Sequence, residues 1–429
     1  MKRICALAVT ILMGIVLGAG VAGAEVFETP KNRKAADILP ADMVSGEHFT
    51  VRENVAVYDY LHAYTVDSDY GTFTAISDGG LRKLLLEIRA ITELRKIADA
   101  EAFAKALGAA AAAPVKLGVS LVTNPVDTVA AIPKGIGQLF SDAVSGFSTE
   151  KQAGEDGQVE EVLELSRFKR EYAFNLGVDA YSSNEVFQAE LNRVAWGGVA
   201  GNLGFSAATA PLGGIGYIVS GSAFGQQMND YLAENPPSRI RSNAQEKLAA
   251  MGVGEKEIKA FLEAKGYTPR HTAVIVGHLE RLGKASGIDS YINYASHADN
   301  EEEATFFMNI AEILGGYHQK VSPIRQVGVA KAIVWARDEN GTILAPFPLD
   351  YGVWTEQVSV LVREMIAENT RENEKQKFEL WVTGTMSPLA KKNLEARGVT
   401  VNEEVYKRID LVDYVTFKSK PVSPNPEKN

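Results

Sequence analysis

VGVAKAIVWARDENGTILAPFPLD, residues 327–350, is the stretch on which the fold turns, because a long run of helical patterning ends there and strand patterning begins. It reads as two β-rich runs joined through Asp338-Glu339-Asn340-Gly341, and Asn-Gly is the preferred tight hairpin turn. Downstream, a helical pattern over about 351–369 leads to the strand FELWVTG, the helix SPLAKKNLEARG and the strand VTVNEE. The order ββαβαβ predicts a small C-terminal α/β domain over 326–415 with a right-handed crossover. Residues 416–429 are polar and proline-rich, the composition of a disordered tail.

Upstream, 81–325 carries helical signals. LRKLLLEIRAITELRKIADAEAFAKAL (81–107) places Leu81, Leu84, Leu85, Ile88, Ile91, Leu94 and Ile97 at helical spacing with charges opposite. Residues 108–147 are small and cut by Pro114, Pro125 and Pro133, which predicts short helices joined at prolines. After a polar break at 151–157 comes a further helix, a pause at Tyr181-Ser182-Ser183-Asn184, and a restart for which Asn184 is the expected N-cap. Pro236-Pro237 marks another break with Ser238 as the expected cap. Glycine stops at Gly252, Gly266, Gly283 and Gly315-Gly316 then divide 243–319 into about four short helices. Nearer the N-terminus, residues 48–77 alternate β-branched and aromatic with polar side chains, predicting two or three short antiparallel strands with a turn near Gly71. Asp67 and Asp69 lack the further ligands of a calcium loop and read as part of that turn. Residues 25–40 read as an unpacked lead-in. The fold class expected is α+β and predominantly helical, with a short N-terminal β element (25–80), a large all-α middle domain (81–325) and the small C-terminal α/β domain.

WGGVAGNLGFSAATAPLGGIGYIVSGSAFG (196–225) lies within a run, from Val194 to Asn229, that has no charged side chain. That length matches one membrane span of roughly 20 residues, but its weak hydropathy and the break at Pro211 point to two short helices packed as a Gly/Ala-rich hairpin. Gly197 with Gly201, and Gly221 with Gly225, form Gly-x-x-x-Gly pairs that let helices approach closely. The hairpin is expected at the buried centre of the helical domain; the alternatives are contact with a bilayer, shared with 108–147, or a subunit interface. Gly214-Ile215-Gly216 lacks the third glycine of a dinucleotide loop.

The N-terminus has Lys2 and Arg3, an apolar run and Ala22-Gly23-Ala24, the pattern of a secretory signal peptide over 1–24. Cys5 precedes the apolar run instead of standing at the cleavage point, which argues against a lipid anchor. It is also the sole cysteine, so the mature chain is expected to have no disulfide, thiol nucleophile or cysteine metal site. The net charge is −10, and loss of Lys2 and Arg3 takes it to −12. With no basic stripe, nucleic acid is not an expected partner.

None of the six histidines forms a His-x-x-x-His or His-Glu-x-x-His pair, and although His278, His297 and His318 share the helical region, no metal is expected. There is no Gly-x-Ser-x-Gly elbow. Ser166-Arg167-Phe168-Lys169 matches Ser-x-x-Lys by letter only, in a charged helix without the companion motifs. No catalytic or cofactor-binding residue is therefore assigned, and no cofactor is expected. One loop is a candidate for ligand binding. Thr383, Gly384, Thr385 and Ser387 join a strand to a helix N-terminus, where free N–H groups and hydroxyls suit a phosphate or carboxylate. Ordinary capping, with Ser387 at the N-cap, Pro388 at N1 and Gly398 closing the helix, accounts for the same residues and is the preferred reading.

Together these features predict an exported, non-enzymatic protein of the periplasm or cell envelope, membrane-associated, acting through a membrane surface or envelope protein, or through its own copies as a homo-oligomer. The rival is a periplasmic enzyme or anionic-ligand-binding protein with its site between the helical and C-terminal α/β domains, and the 383–387 loop at its edge.

Overall fold

The computed structural model describes residues 25–58, 60–99, 156–200, 223–330, 333–370 and 376–414. The signal-peptide region, the 108–147 segment, Gly201, Pro211, Gly221 and the 416–429 tail lie outside them. Helix dominates, at 54% against 20% strand, and the strands fall into several sheets.

The alternating residues at the N-terminus form more strands than expected. Small elements β1 (Arg33–Lys34), α1 (Ala35–Ile38), α2 (Ala41–Val44) and β2 (Ser45–Gly46) precede β3 (Phe49–Val51), β4 (Asn54–Tyr58), β5 (Leu61–Ser68) and β6 (Gly71–Ile76). All pair antiparallel, with β5 bonded to β6 along one edge and shared by β4 and β3 along the other. The period of two puts His62, Tyr64 and Val66 on the buried face of β5. Residues 25–40 are not unpacked, because their acidic side chains find partners in the far C-terminal part of the chain. Glu28 accepts from the Trp354 N–H at 2.7 Å, and Glu25 accepts from Trp354 Nε1 at 2.9 Å.

Helix α3 (Asp78–Asp99) follows the sheet without a linker. Its first turns place Leu81, Leu84, Leu85 and Ile88 on the sheet core. Its later turns place Ile91, Leu94 and Ile97 against α4 (Asp156–Leu176) and α5 (Glu185–Ala200). Asn184 caps α5, its Oδ1 accepting from Phe187 N at 3.2 Å.

Helices α6 (Ala223–Glu234), α7 (Pro237–Ala250), α8 (Glu255–Glu263), α9 (Pro269–Arg281), α10 (Ile288–Ala295) and α11 (Glu301–Lys320) build the next core. Two sequence expectations need correction here. Pro236, not Ser238, holds the N-cap position of α7, with Pro237 at N1 where its missing donor costs nothing. Gly315 and Gly316 do not stop a helix; they lie inside α11, where a Cβ on Gly315 would come within 2.4 Å of His278 Nδ1 on α9. Close helix contact, not chain reversal, requires glycine there.

The C-terminal part holds β7 (Ile324–Ala330), β8 (Ile333–Asp338), β9 (Ile343–Phe347), β10 (Tyr351–Gly352), α12 (Glu356–Asn369), β11 (Phe378–Val382), β12 (Thr385–Met386), α13 (Pro388–Glu395) and β13 (Val399–Asn402). The five main strands run β13-β11-β9-β8-β7, with the first three parallel and the last two antiparallel additions. The order is therefore not simply ββαβαβ. The first β-rich run is two strands, with Ala330 paired to Ile333, and the minor pair β10–β12 adds two more. Both faces of the sheet are covered. Val334, Ala336, Leu344 and Trp381 meet the helical core, while Ile333, Trp335, Ile343 and Ala345 meet α12 and α13, which explains the continuous apolar runs.

Past β13 the chain returns to the helices, and Val412 N donates to the fully buried Glu312 at 2.7 Å, while Glu312 Oε2 has no partner among the described residues. Burial, then the nearby Asp413 charge, push the Glu312 carboxyl up to about 8. Between its ordinary value of 4.5 and about 8, the folded chain keeps a proton that the unfolded chain releases. Its stabilising share is thus complete below 4.5 and is lost as pH rises through about 8. Glu312→Gln, which stays neutral, is expected to reduce the fall in melting temperature between pH 5 and pH 9 by a few degrees. An unchanged pH slope would show that Glu312 is ionised in the fold.

Candidate functional site

Asp350 follows the carboxyl end of β9, the edge at which open α/β sheets place their ligands. Here the carboxylate reaches into the N-terminal element instead, accepting from His62 N at 2.8 Å and Asp78 N at 3.1 Å. Asp78 opens α3 and accepts from Tyr64 OH at 2.5 Å and from His62 Nδ1 at 2.8 Å. The other ring nitrogen, Nε2, is buried and without a partner among the described residues. Two residues beside the cluster take the left-handed conformation, Tyr60 at φ 69° and Ser77 at φ 73°, a strain of about 1–3 kcal/mol each. Tyr60 O accepts from Asp350 N at 3.0 Å. Burial pushes the Asp350 carboxyl well above the usual range, and the Asp78 charge adds to this, against the two N–H donors and Arg82. His62, Asp78 and Asp350 have the donor types for a metal ion, but both Asp350 oxygens and Asp78 Oδ1 already accept hydrogen bonds. The cluster is best described as a clamp between distant segments.

Beside the clamp lies a cleft of about 400 Å³. Gly80, Lys83, Leu84 and Glu87 line it from one face of α3, and Glu301, Glu302, Thr305, Phe306 and Asn309 from one face of α11. The segment opening α5 adds Ser183 and Asn184, β6 adds Phe73 to Ile76, and Pro348, Thr383, Asp413 and Tyr414 close the C-terminal side. Lys83 Nζ lies 2.9 Å from both Glu87 and Glu301 and donates to Ser182 Oγ at 3.0 Å. Asn184 Nδ2 donates to Glu87 at 3.0 Å, and Ser183 Oγ donates to Glu301. Burial opposes the Glu301 charge, but Lys83, His271 and the Ser183 hydroxyl outweigh it and hold the carboxyl down to about 2. Burial likewise opposes the Lys83 charge, and Glu87 and Glu301 outweigh it, so the ammonium persists. Glu87, Glu185, Glu301, Glu302 and Asp413 thus face the cleft with Lys83 the single cation among the lining residues. Asn309, only 4% exposed, lines the cleft, and its buried Oδ1 has no donor among the described residues. A buried acceptor without a donor costs about 1–3 kcal/mol, so a bound group that donates to it would relieve that cost.

An apolar pocket of about 160 Å³ adjoins the cleft and shares Leu61, Glu302, Phe306 and Pro348 with it. Its roof is the apolar face of α12, Val358, Leu361, Val362 and Met365, and its floor includes Ala345, Leu380 and Val399 of the sheet.

Of the residues singled out in the sequence, Thr383 lines the cleft, with its hydroxyl donating to Leu349 O at 2.7 Å and accepting from Leu349 N at 2.9 Å. A Cβ on Gly384 would lie 2.0 Å from Asp350 O, so glycine is required for that approach. Thr385 is exposed and pairs its N–H with Asp350 O at 3.0 Å. Ser387 Oγ caps α13, accepting from Ala390 N at 3.0 Å, and donates to Glu28 at 2.5 Å. Met386 N donates to Glu403 at 2.7 Å, so the chain's own carboxylates already engage the polar groups just ahead of this helix. Gly197 and Gly225 are buried in α5 and α6, away from the cleft. His278 is buried, His297 exposed and His318 accepts from Ile324 N at 3.0 Å; the three form no metal-capable group. Asp67 pairs with Arg52 at 2.8 Å and Asp69 with His48 at 2.8 Å.

Sequence reasoning missed His62, Asp78, Asp350, Lys83, Glu301 and Asn309. The signals available were the i, i+4 pair Lys83/Glu87 and an uncompensated asparagine within the apolar run of α11, both commonplace alone. No helix of the described residues is long and apolar enough to cross a membrane. Comparison with protein-family models, curated proteins and solved structures gives no match.

Lys83→Met would leave two carboxylates in the cleft wall without their cation, and a loss of about 3–5 kcal/mol in urea unfolding is expected. Lys247→Met, which removes an exposed pair with Glu280, is expected to cost under about 1 kcal/mol. Equal losses would deny the ionic centre its role in holding α3 to α11.

Proposed function

We propose that the chain is an exported, non-enzymatic binding protein of the cell envelope whose site is the cleft between α3, α11 and the carboxyl edge of the C-terminal sheet. The observation that carries this reading is Asn309, a residue lining the cleft whose buried Oδ1 is unpartnered among the described residues. A ligand that donates hydrogen bonds satisfies it. The surrounding carboxylates, Glu301 above all, favour a ligand bearing an amine or hydroxyls and repel an anion. This takes the site between helical and α/β parts from the rival reading of the sequence and changes the ligand's charge. Export rests on the pattern of residues 1–24. Association with a membrane surface, an envelope protein or a second copy rests on 108–147 and 196–225, and most of that sequence lies outside the described residues.

Thermal shift with ethanolamine, glycerol and acetate tests the reading. Ethanolamine at about 100 times its Kd is expected to stabilise by about 2.7 kcal/mol, acetate not at all, and Asn309→Leu to remove the ethanolamine response while leaving a folded protein. A shift with acetate alone, or one that survives Asn309→Leu, would overturn it.

A further inference from the structure

The polar cleft and the apolar pocket are not separate features. Leu61, Glu302, Phe306 and Pro348 belong to the walls of both, so the two spaces adjoin, and a molecule occupying both would pass these side chains. The two halves differ sharply in chemistry. On one side are Lys83, Glu301 and Asn309, whose oxygen is unpartnered among the described residues. On the other are Leu361 and Met365 from α12 over Ala345 of β9. The pocket is no accident of loop packing, since its roof residues recur at i, i+3, i+4 and i+7 along α12 and its floor is the sheet itself. Phe306 stands at the junction, its ring edge-on to Phe347 at 5.6 Å and to Phe307 at 5.8 Å, which gives a rigid apolar rim where head and tail would meet.

We infer that the site takes a single-tailed amphiphile, its amine- or hydroxyl-bearing head in the polar cleft and its hydrocarbon tail under α12. This rests on the cleft being a ligand site, and it names the class of ligand. The size of the pocket suits a tail segment of about six carbons, because an apolar cavity of about 150 Å³ accepts benzene. Hydrophobic transfer supplies the affinity, at roughly 4-fold per buried methylene, and the head supplies the orientation. Carboxylates around the head exclude fatty acids in their ionised form.

Isothermal titration of the mature chain with ethylamine, octylamine and octanoate separates the possibilities. Octylamine, with six more methylenes, is expected to bind on the order of 1,000-fold more tightly than ethylamine, and octanoate weakly. Leu361→Trp and Val358→Phe, two independent changes that fill the pocket from half-buried positions on α12, should bring octylamine back to the affinity of ethylamine. Asn309→Leu should weaken both amines. Ethylamine binding that responds to Asn309→Leu, with no gain from the longer tail, would overturn the amphiphile and leave the polar site standing. Amine binding indifferent to Asn309→Leu would overturn both. Octanoate binding as tightly as octylamine would overturn the assignment of the head group.

Discussion

The carboxylate of Asp350, buried where β5, the start of α3 and the end of β9 meet, is the contact on which the arrangement depends. It accepts two backbone N–H groups, from His62 and Asp78, that lie 288 and 272 residues away in the chain. Without that acceptor both N–H groups would lose their partner, the buried His62 N–H at a cost of about 1–3 kcal/mol. The left-handed backbone at Tyr60 and Ser77 persists because the contact fixes the segments on either side. Asp78 in turn begins α3, so the clamp determines where the Lys83 and Glu87 face of that helix lies. From one buried carboxylate the position of a whole cleft wall follows.

The cleft itself is a compromise between stability and binding. Lys83 pairs with both Glu87 and Glu301, and this ties α3 to α11 while keeping charge next to open space. Asn309 and the void under α12 go uncompensated within the described residues. A protein selected for stability alone would place a hydrophobic side chain at each position. Retaining a polar orphan and an apolar void side by side is consistent with a ligand that fills both. The 383–387 loop shows the opposite design, because Ser387 caps its helix while Glu28 and Glu403 accept from Ser387 Oγ and Met386 N.

How much was legible in the sequence depended on the range of the forces involved. Local patterning located α3 through its leucine and isoleucine spacing, the β8–β9 turn through Asn340-Gly341, and the start of α5 through Asn184. The reversal between Ala330 and Ile333 was hidden, because Lys331 and Ala332 carry none of the usual turn chemistry. Gly315 and Gly316 misled, since a glycine required by a neighbouring helix looks the same as one required by a turn. The site was the least legible part. Its wall comes from β6, α3, α5, α11 and two loops of the C-terminal sheet, and no residue in one segment announces the others. Thr383 was found, through its place after a strand. Asp350 was read only as the end of a strand-rich stretch, with no sign that it would reach to His62.

The most direct measurement is an electron-density map of the chain purified without stripping bound small molecules. Continuous density is expected from the Asn309 amide, past Phe306, to the space beneath Val358 and Leu361, with Lys83 still held between Glu87 and Glu301. A map in which Phe306 and Leu361 close over both spaces, and a protein donor reaches Asn309 Oδ1, would contradict the assignment of this cleft as a binding site.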